Sequence, residues 1–224
     1  MATGNRELQP VAPSERRRGR PPTASPAAVL HAVAAQYQTG NRVDLTVVAR
    51  RLGLSRATIY RWFGSRENLL GEVVAVQLER VIARKRRAVG TRGAAGLLDV
   101  FDQINRSLSR ASGLRALIEQ EPATAMRMLT SESGIVHPRA VSAVRALIVS
   151  EVASGDYDPP ADPETLAYAI VRLAEAFIYS DRGIRGDHER LRDVQAALLG
   201  VPMAGGGVSA GQPAPSSTSG RLPG

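Results

Sequence analysis

The sequence predicts an all-α protein, and three observations carry that prediction. From residue 26 to residue 199 apolar side chains recur every three or four positions, as in Val29, Val33 and Tyr37. Proline repeatedly stands at the start of such a stretch and glycine just after its end, the arrangement that helix termini favour. No segment alternates as a strand does. A chain of 224 residues with 43% hydrophobic content is long enough for one large domain or two small ones with a genuine core.

Taken in order, residues 1–25 hold Pro10, Pro13, Pro21 and Pro22 around an arginine run and show no apolar periodicity, so a basic arm without fixed structure is expected. A first helix is expected at Pro26–Gln38, closed by Gly40. Asp44 should cap a second at Leu45–Leu52, and a third should run from near Ser55 to Gly64. Ser65 then caps a long fourth, about Arg66 to Val89. Past the glycine-rich TRGAAG at Thr91–Gly96, helices are expected at Leu97–Ser109, Leu114–Gln120, Pro122–Thr130, Pro138–Ser154, Pro163–Asp181 and Asp187–Leu199. Gly113, Gly134, Gly155, Gly183 and Gly200 are read as exits, and the Gly, Pro and Ser-rich residues 201–224 as a tail.

The second and third helices carry the clearest functional signal. Ala49 is small enough for two helices to cross, Gly53 can take the left-handed conformation of a tight turn, and Leu52, Leu54, Ile59 and Phe63 form a one-sided apolar seam. Arg56, Ala57, Tyr60 and Arg61 are left on the outer face. This is the pattern of a helix-turn-helix. Charge agrees with it: residues 1–92 hold 17 Arg or Lys against 6 Asp or Glu, a net of +11, whereas the remainder holds 12 against 15, a net of −3. A basic block coincident with such a motif is the footprint of a phosphate-binding surface.

The stretch VARRLGLSRATIYRWFGSRENLL closely resembles the signature of the TetR family of bacterial transcription regulators. The Ala49, Gly53 and Ile59 scaffold, the aromatic pair Tyr60 and Phe63, and a basic residue leading into the fourth helix fall in register, and the resemblance spans roughly residues 27–75. The segment RLAEAFIYSD, Arg172–Asp181, is similar to the QsdR-like branch, a group tied to lactone signal degradation. The resemblance implies an N-terminal helix-turn-helix domain at 26–72, with helix four continuing to about 89, and a helical ligand-binding and dimerisation domain at 90–200. It also implies a cytoplasmic, homodimeric repressor released from a palindromic double-stranded DNA operator by a small, largely apolar effector. An architectural DNA-binding protein without a sensor function is the alternative.

The N-terminal residues of a recognition helix meet base edges while its flanks meet the backbone. Arg56 is therefore the expected base reader, its guanidinium suited to two parallel bonds with guanine, and Ala57 and Thr58 are expected beside it. Ser55, Tyr60, Arg61, Trp62 and Arg66 are expected at phosphates, with Trp62 ambiguous between contact and packing. The family usually has Lys where Arg66 stands, a change that keeps the charge. It commonly has a phosphate-binding threonine near the start of helix two, where this chain has Asp44 and Leu45, with Thr46 the nearest substitute. In the arm, Arg18, Gly19 and Arg20 resemble the core of an AT-hook, which lies in a narrow minor groove. The cluster Arg84–Arg87 favours its own helix dipole and is not assigned to DNA.

In the second half, Leu166, Ile170, Leu173 and Phe177 form one apolar stripe, Tyr168, Arg172, Glu175 and Tyr179 a polar one, and Val171, Ala174 and Ile178 a third side. Such a helix should be sandwiched between its own core and a partner copy. Phe101, Ile104, Leu108, Met126, Tyr168, Arg172 and Phe177 are the expected pocket lining. Arg172 and Glu175 read either as ligand anchors or as an ion pair within or between subunits, the latter favoured because charges buried together are mostly structural partners. His137, before Pro138, is expected at a cap or the surface.

Other classes find little support. Cysteine is absent, which excludes disulfide frameworks and thiolate metal sites, and three scattered histidines suggest no metal. No cofactor is implied, and there is no phosphate-loop motif and no nucleophile, base and orienting set of an enzyme. Apolar runs are broken by charge well before the roughly 18 residues of a membrane span.

Overall fold

A computed structural model describes residues 24–179 and 187–202, and among these the chain forms ten α-helices and no strand. They are α1 (Pro26–Gln38), α2 (Leu45–Leu52), α3 (Arg56–Phe63), α4 (Arg66–Ala88) and α5 (Gly93–Ser109). There follow α6 (Ser112–Gln120), α7 (Pro122–Thr130), α8 (Val136–Ala153), α9 (Pro163–Ile178) and α10 (His188–Leu199). The arm carrying Arg18, Gly19 and Arg20, the expected helix end at Asp181, Gly183 and nearly all of the tail lie outside the described residues.

Side-chain caps explain why the first four helices start where they do. Ser25 accepts from the Ala28 amide at 3.2 Å, Asp44 from Thr46 at 2.7 Å, Ser55 from Thr58 at 3.1 Å and Ser65 from Asn68 at 2.9 Å. Each satisfies an amide that the helix itself leaves unpaired. Between α2 and α3, Gly53 sits at φ 65°, which lets the Leu54 amide reach back to the Ala49 carbonyl at 2.9 Å and turns the chain sharply. A methyl group there would meet nothing within 4 Å, so backbone conformation and not crowding requires the glycine.

Two apolar clusters make up the interior. The first joins α1, α2 and α3 with the N-terminal half of α4, through Val29, Val33, Val48, Ile59, Leu69 and Leu70, all almost fully buried. It also takes in Leu114, Leu117, Ala125, Met128 and Val136, from α6, α7 and the start of α8. The second gathers the far end of α4 with α5, α8, α9 and α10 around Leu97, Val100, Ile148, Ala167 and Leu199. Helix α4 thus runs through both.

Three local expectations are corrected by long-range contacts. Helix α5 begins at Gly93, four residues before Leu97, because the buried Glu151 carboxylate of α8 accepts from the Gly93 amide at 2.8 Å and also pairs with Arg86 and Arg92. Gly113 is not an exit but lies inside α6, pressed against α1. Helix α8 starts at Val136, ahead of Pro138, and places His137 in the interior at 3% exposure, where a cap or surface position was expected.

Candidate nucleic-acid interface and internal cavity

Helix α3 is anchored by one fully buried residue, Ile59, with Leu52, Leu54, Trp62 and Phe63 partly buried around it. That anchoring leaves Ser55, Arg56, Ala57 and Arg61 exposed. Thr58 is half-buried, with its hydroxyl 3.0 Å from that of Ser55, so both hydroxyls close the helix cap. Tyr60 is not wholly on the outer face: its ring packs on the core while its hydroxyl accepts from Arg56 Nη2 at 3.2 Å. The Arg56 guanidinium lies over that ring, 5.7 Å from its centre. Trp62 packs against the same core, which settles where its ring is held. Two exposed cations in the last turn of α2, Arg50 and Arg51, extend the basic surface and were missed in the sequence, where nothing distinguishes them from other solvated arginines.

Arg66 is placed differently from the expected phosphate ligand. Its Nη1 and Nη2 donate to the two Glu121 oxygens at 2.7 and 2.8 Å, and Nη2 also reaches the Val43 carbonyl at 3.4 Å. The partner stands 55 positions away, at the junction of α6 and α7, and so leaves no local signal. This bidentate pair holds the Glu121 carboxyl below its usual range, with Arg42 adding to the effect. Helix α6 also binds the end of α1 directly. Ser112 donates to the Gln38 carbonyl at 2.9 Å, Gln120 to the Gly40 carbonyl at 3.4 Å, and a methyl on Gly113 would stand 2.3 Å from the Tyr37 carbonyl oxygen.

Behind this joint lies a cavity of about 240 Å³, enclosed mostly by apolar side chains of α4, α5, α8 and α9, with Tyr37 and Gln38 of α1 in its wall. Of the seven residues expected to line a pocket, Phe101, Ile104 and Leu108 do so. Met126 and Tyr168 are instead 50% and 42% exposed, and Arg172 and Phe177 also lie outside the lining. Spacing showed that α9 has three usable faces but not which one turns inward. Ile170, Val171, Ala174, Glu175 and Ile178 are the ones that do.

The polar stripe of α9 closes into a network within one chain. Glu175, 8% exposed, receives Arg172 Nη1 at 3.0 Å on one oxygen and lies 2.7 Å from His137 Nδ1 on the other. Arg172 also donates to the Thr130 carbonyl, to Glu132 and to the Tyr168 hydroxyl. The ion pair is therefore internal, as burial of two charges together favours. On another part of the wall Asn105 of α5 donates to Gln195 of α10 at 3.0 Å, both almost fully buried.

Residues 92–200 match the family model described as the tetracyclin repressor-like C-terminal domain. The whole fold is similar to that of the TetR-family transcriptional repressor QsdR of R. erythropolis, with TM-score 0.73 and 29% identity over 80% of this chain and 96% of that one. The C-terminal part of the chain thus carries a tetracyclin repressor-like domain, and its whole fold is that of a TetR-family repressor. The TetR-family repressor AlkX of Dietzia sp. strain DQ12-45-1b, implicated in biodegradation of n-alkanes, shares the fold at TM-score 0.53 and 22% identity, over 79% of this chain and 97% of that one. No curated protein sequence matches it. These likenesses support a DNA-binding transcription regulator, with α3 as the candidate DNA-reading helix. Among the described residues no helix is long and apolar enough to cross a membrane, and no three His, Asp or Glu side chains gather as a metal site.

Proposed function

We propose that this protein is a dimeric TetR-family repressor that leaves a palindromic operator when a small, largely apolar molecule enters the cavity. One observation carries the reading: Tyr37 belongs to the core of the DNA-reading helices and also forms part of the cavity wall. A ligand in that space meets α1 directly, and any preference it has for one position of α1 over another becomes a preference between DNA-bound and released states.

On the DNA, Arg56 reads base edges with Ala57 and Thr58 close beside it, while Ser55, Tyr60, Arg61 and Trp62 hold the backbone. Arg66 is left out of this set because Glu121 occupies it. Arg18, Gly19 and Arg20 follow the minor groove next to the operator. A second copy is suggested by α9 and α10, where Tyr168, Ala176, Val194 and Ala197 remain exposed in the single chain.

Selecting bound fragments from genomic DNA, over a salt series, tests this. A sharp palindrome retained at high salt is the expected result, and indifferent capture of A·T-rich fragments would point instead to an architectural protein. Removing residues 1–25 should weaken binding most at operators with A·T-rich flanks.

A further inference from the structure

The geometry points to an uncharged effector that carries a carbonyl group, recognised by the Asn105–Gln195 amide pair in the cavity wall. This rests on the cavity being the effector site.

The charge argument comes first. Among the described residues the lining contains no Arg, Lys or His. The Arg172 guanidinium, which pairs with Glu175 of the wall, lies outside the lining and spends all three nitrogens on Tyr168, Thr130, Glu132 and Glu175. An acid entering the cavity would lose its hydration, meet no cation and face the Glu175 carboxylate, so anions are strongly disfavoured. Cations gain little, because the Glu175 charge is already balanced by Arg172 and its other oxygen is held by His137. A neutral molecule remains.

The polar groups then say what it carries. The Ser107 and Ser112 hydroxyls in the lining donate to the Gln103 and Gln38 carbonyls. Asn105 and Gln195, 4% and 1% exposed, share a single bond from Asn105 Nδ2 to Gln195 Oε1. A primary amide has two donor hydrogens and a carbonyl oxygen, so among the described residues this bond leaves the Gln195 NH2 group with donor capacity beside an apolar space. A ligand carbonyl is the acceptor that such a group lacks, while the rest of the ligand matches the aliphatic and Phe101 surface.

The test is calorimetric titration of the full-length protein at pH 8 with octane, octan-2-one, octanoate and octylammonium. Octan-2-one should bind at least tenfold more tightly than octanoate and more tightly than octane or octylammonium. Gln195→Met, which removes the amide without emptying its space, should cut the advantage of the ketone over octane at least fivefold and leave octane binding as it was. Asn105→Ser provides a second variant, and retained octane binding shows that the cavity is intact in either. Octanoate or octylammonium binding as tightly as the ketone, or an unchanged ketone-to-octane ratio in both variants, overturns the inference and leaves the effector cavity standing. No binding by any of the four removes the cavity reading itself.

Discussion

At the scale of single residues, the reading helix depends on what Arg56 gives up. Its guanidinium rests on the Tyr60 ring and hydroxyl. A cation–ring contact at the surface is weak, whereas a bidentate bond to guanine discriminates by about 1–3 kcal/mol, so binding can draw the side chain off its rest. Arg56→Ala should therefore flatten preference for the selected sequence by roughly 10 to 100-fold while retaining salt-dependent binding, as fluorescence anisotropy on matched and scrambled duplexes would read. Glu121 sets a different expectation. Its carboxyl is held low by Arg66, so the pair stabilises fully above the unfolded carboxyl value of about 4.3 and is lost as pH falls through the lower folded value. Glu121→Gln should lower stability by about 1–3 kcal/mol near neutrality. The gap between the two proteins in thermal melts should close below about pH 4.

At the scale of elements, the α1 to α6 contact decides more than either helix alone. Gly113 inside α6 would ordinarily be a weakness, since alanine there favours a helix by about 0.5–1 kcal/mol. The added methyl would stand 2.3 Å from the Tyr37 carbonyl oxygen and 2.8 Å from its ring, closer than such atoms approach. Overpacking of this kind costs about 1–3 kcal/mol, so Gly113→Ala should lower the melting temperature and also shift operator affinity. An unchanged affinity with a lowered melting point would separate the joint from DNA reading. This contact also marks where the sequence stops being legible. Helices α1, α2 and α7 fall on their expected bounds because their caps, prolines and periodicity are written within a few residues. The early start of α5, the interior His137, the captured Arg66 and the inward face of α9 depend on partners 38 to 58 positions away, or on how a whole helix is rotated. The cavity followed the same rule. Phe101, Ile104 and Leu108 share one stripe of α5 and were legible together, but Met126 and Tyr168 needed the packing of other helices to be placed.

At the scale of the whole molecule, the proposed dimer would present two α3 helices at one spacing, so the exposed faces of α9 and α10 would set DNA affinity from a distance. Val194→Glu should convert a dimer to a monomer in sedimentation and lower operator binding more than tenfold, leaving the helical signal in circular dichroism unchanged. The wall shared by Tyr37 has a further consequence. Because the first cluster takes in α6 and α7, helices α1 to α3 have no closed core of their own and complete it with residues of those two helices. Under the proposed function no relay across a domain boundary is needed: polarity decides which molecule enters, and the volume it occupies is the signal. A bulky side chain grown from the chain itself, as in Ala174→Phe, should then act as a permanent inducer, giving a folded dimer that has lost its operator and no longer answers to effector.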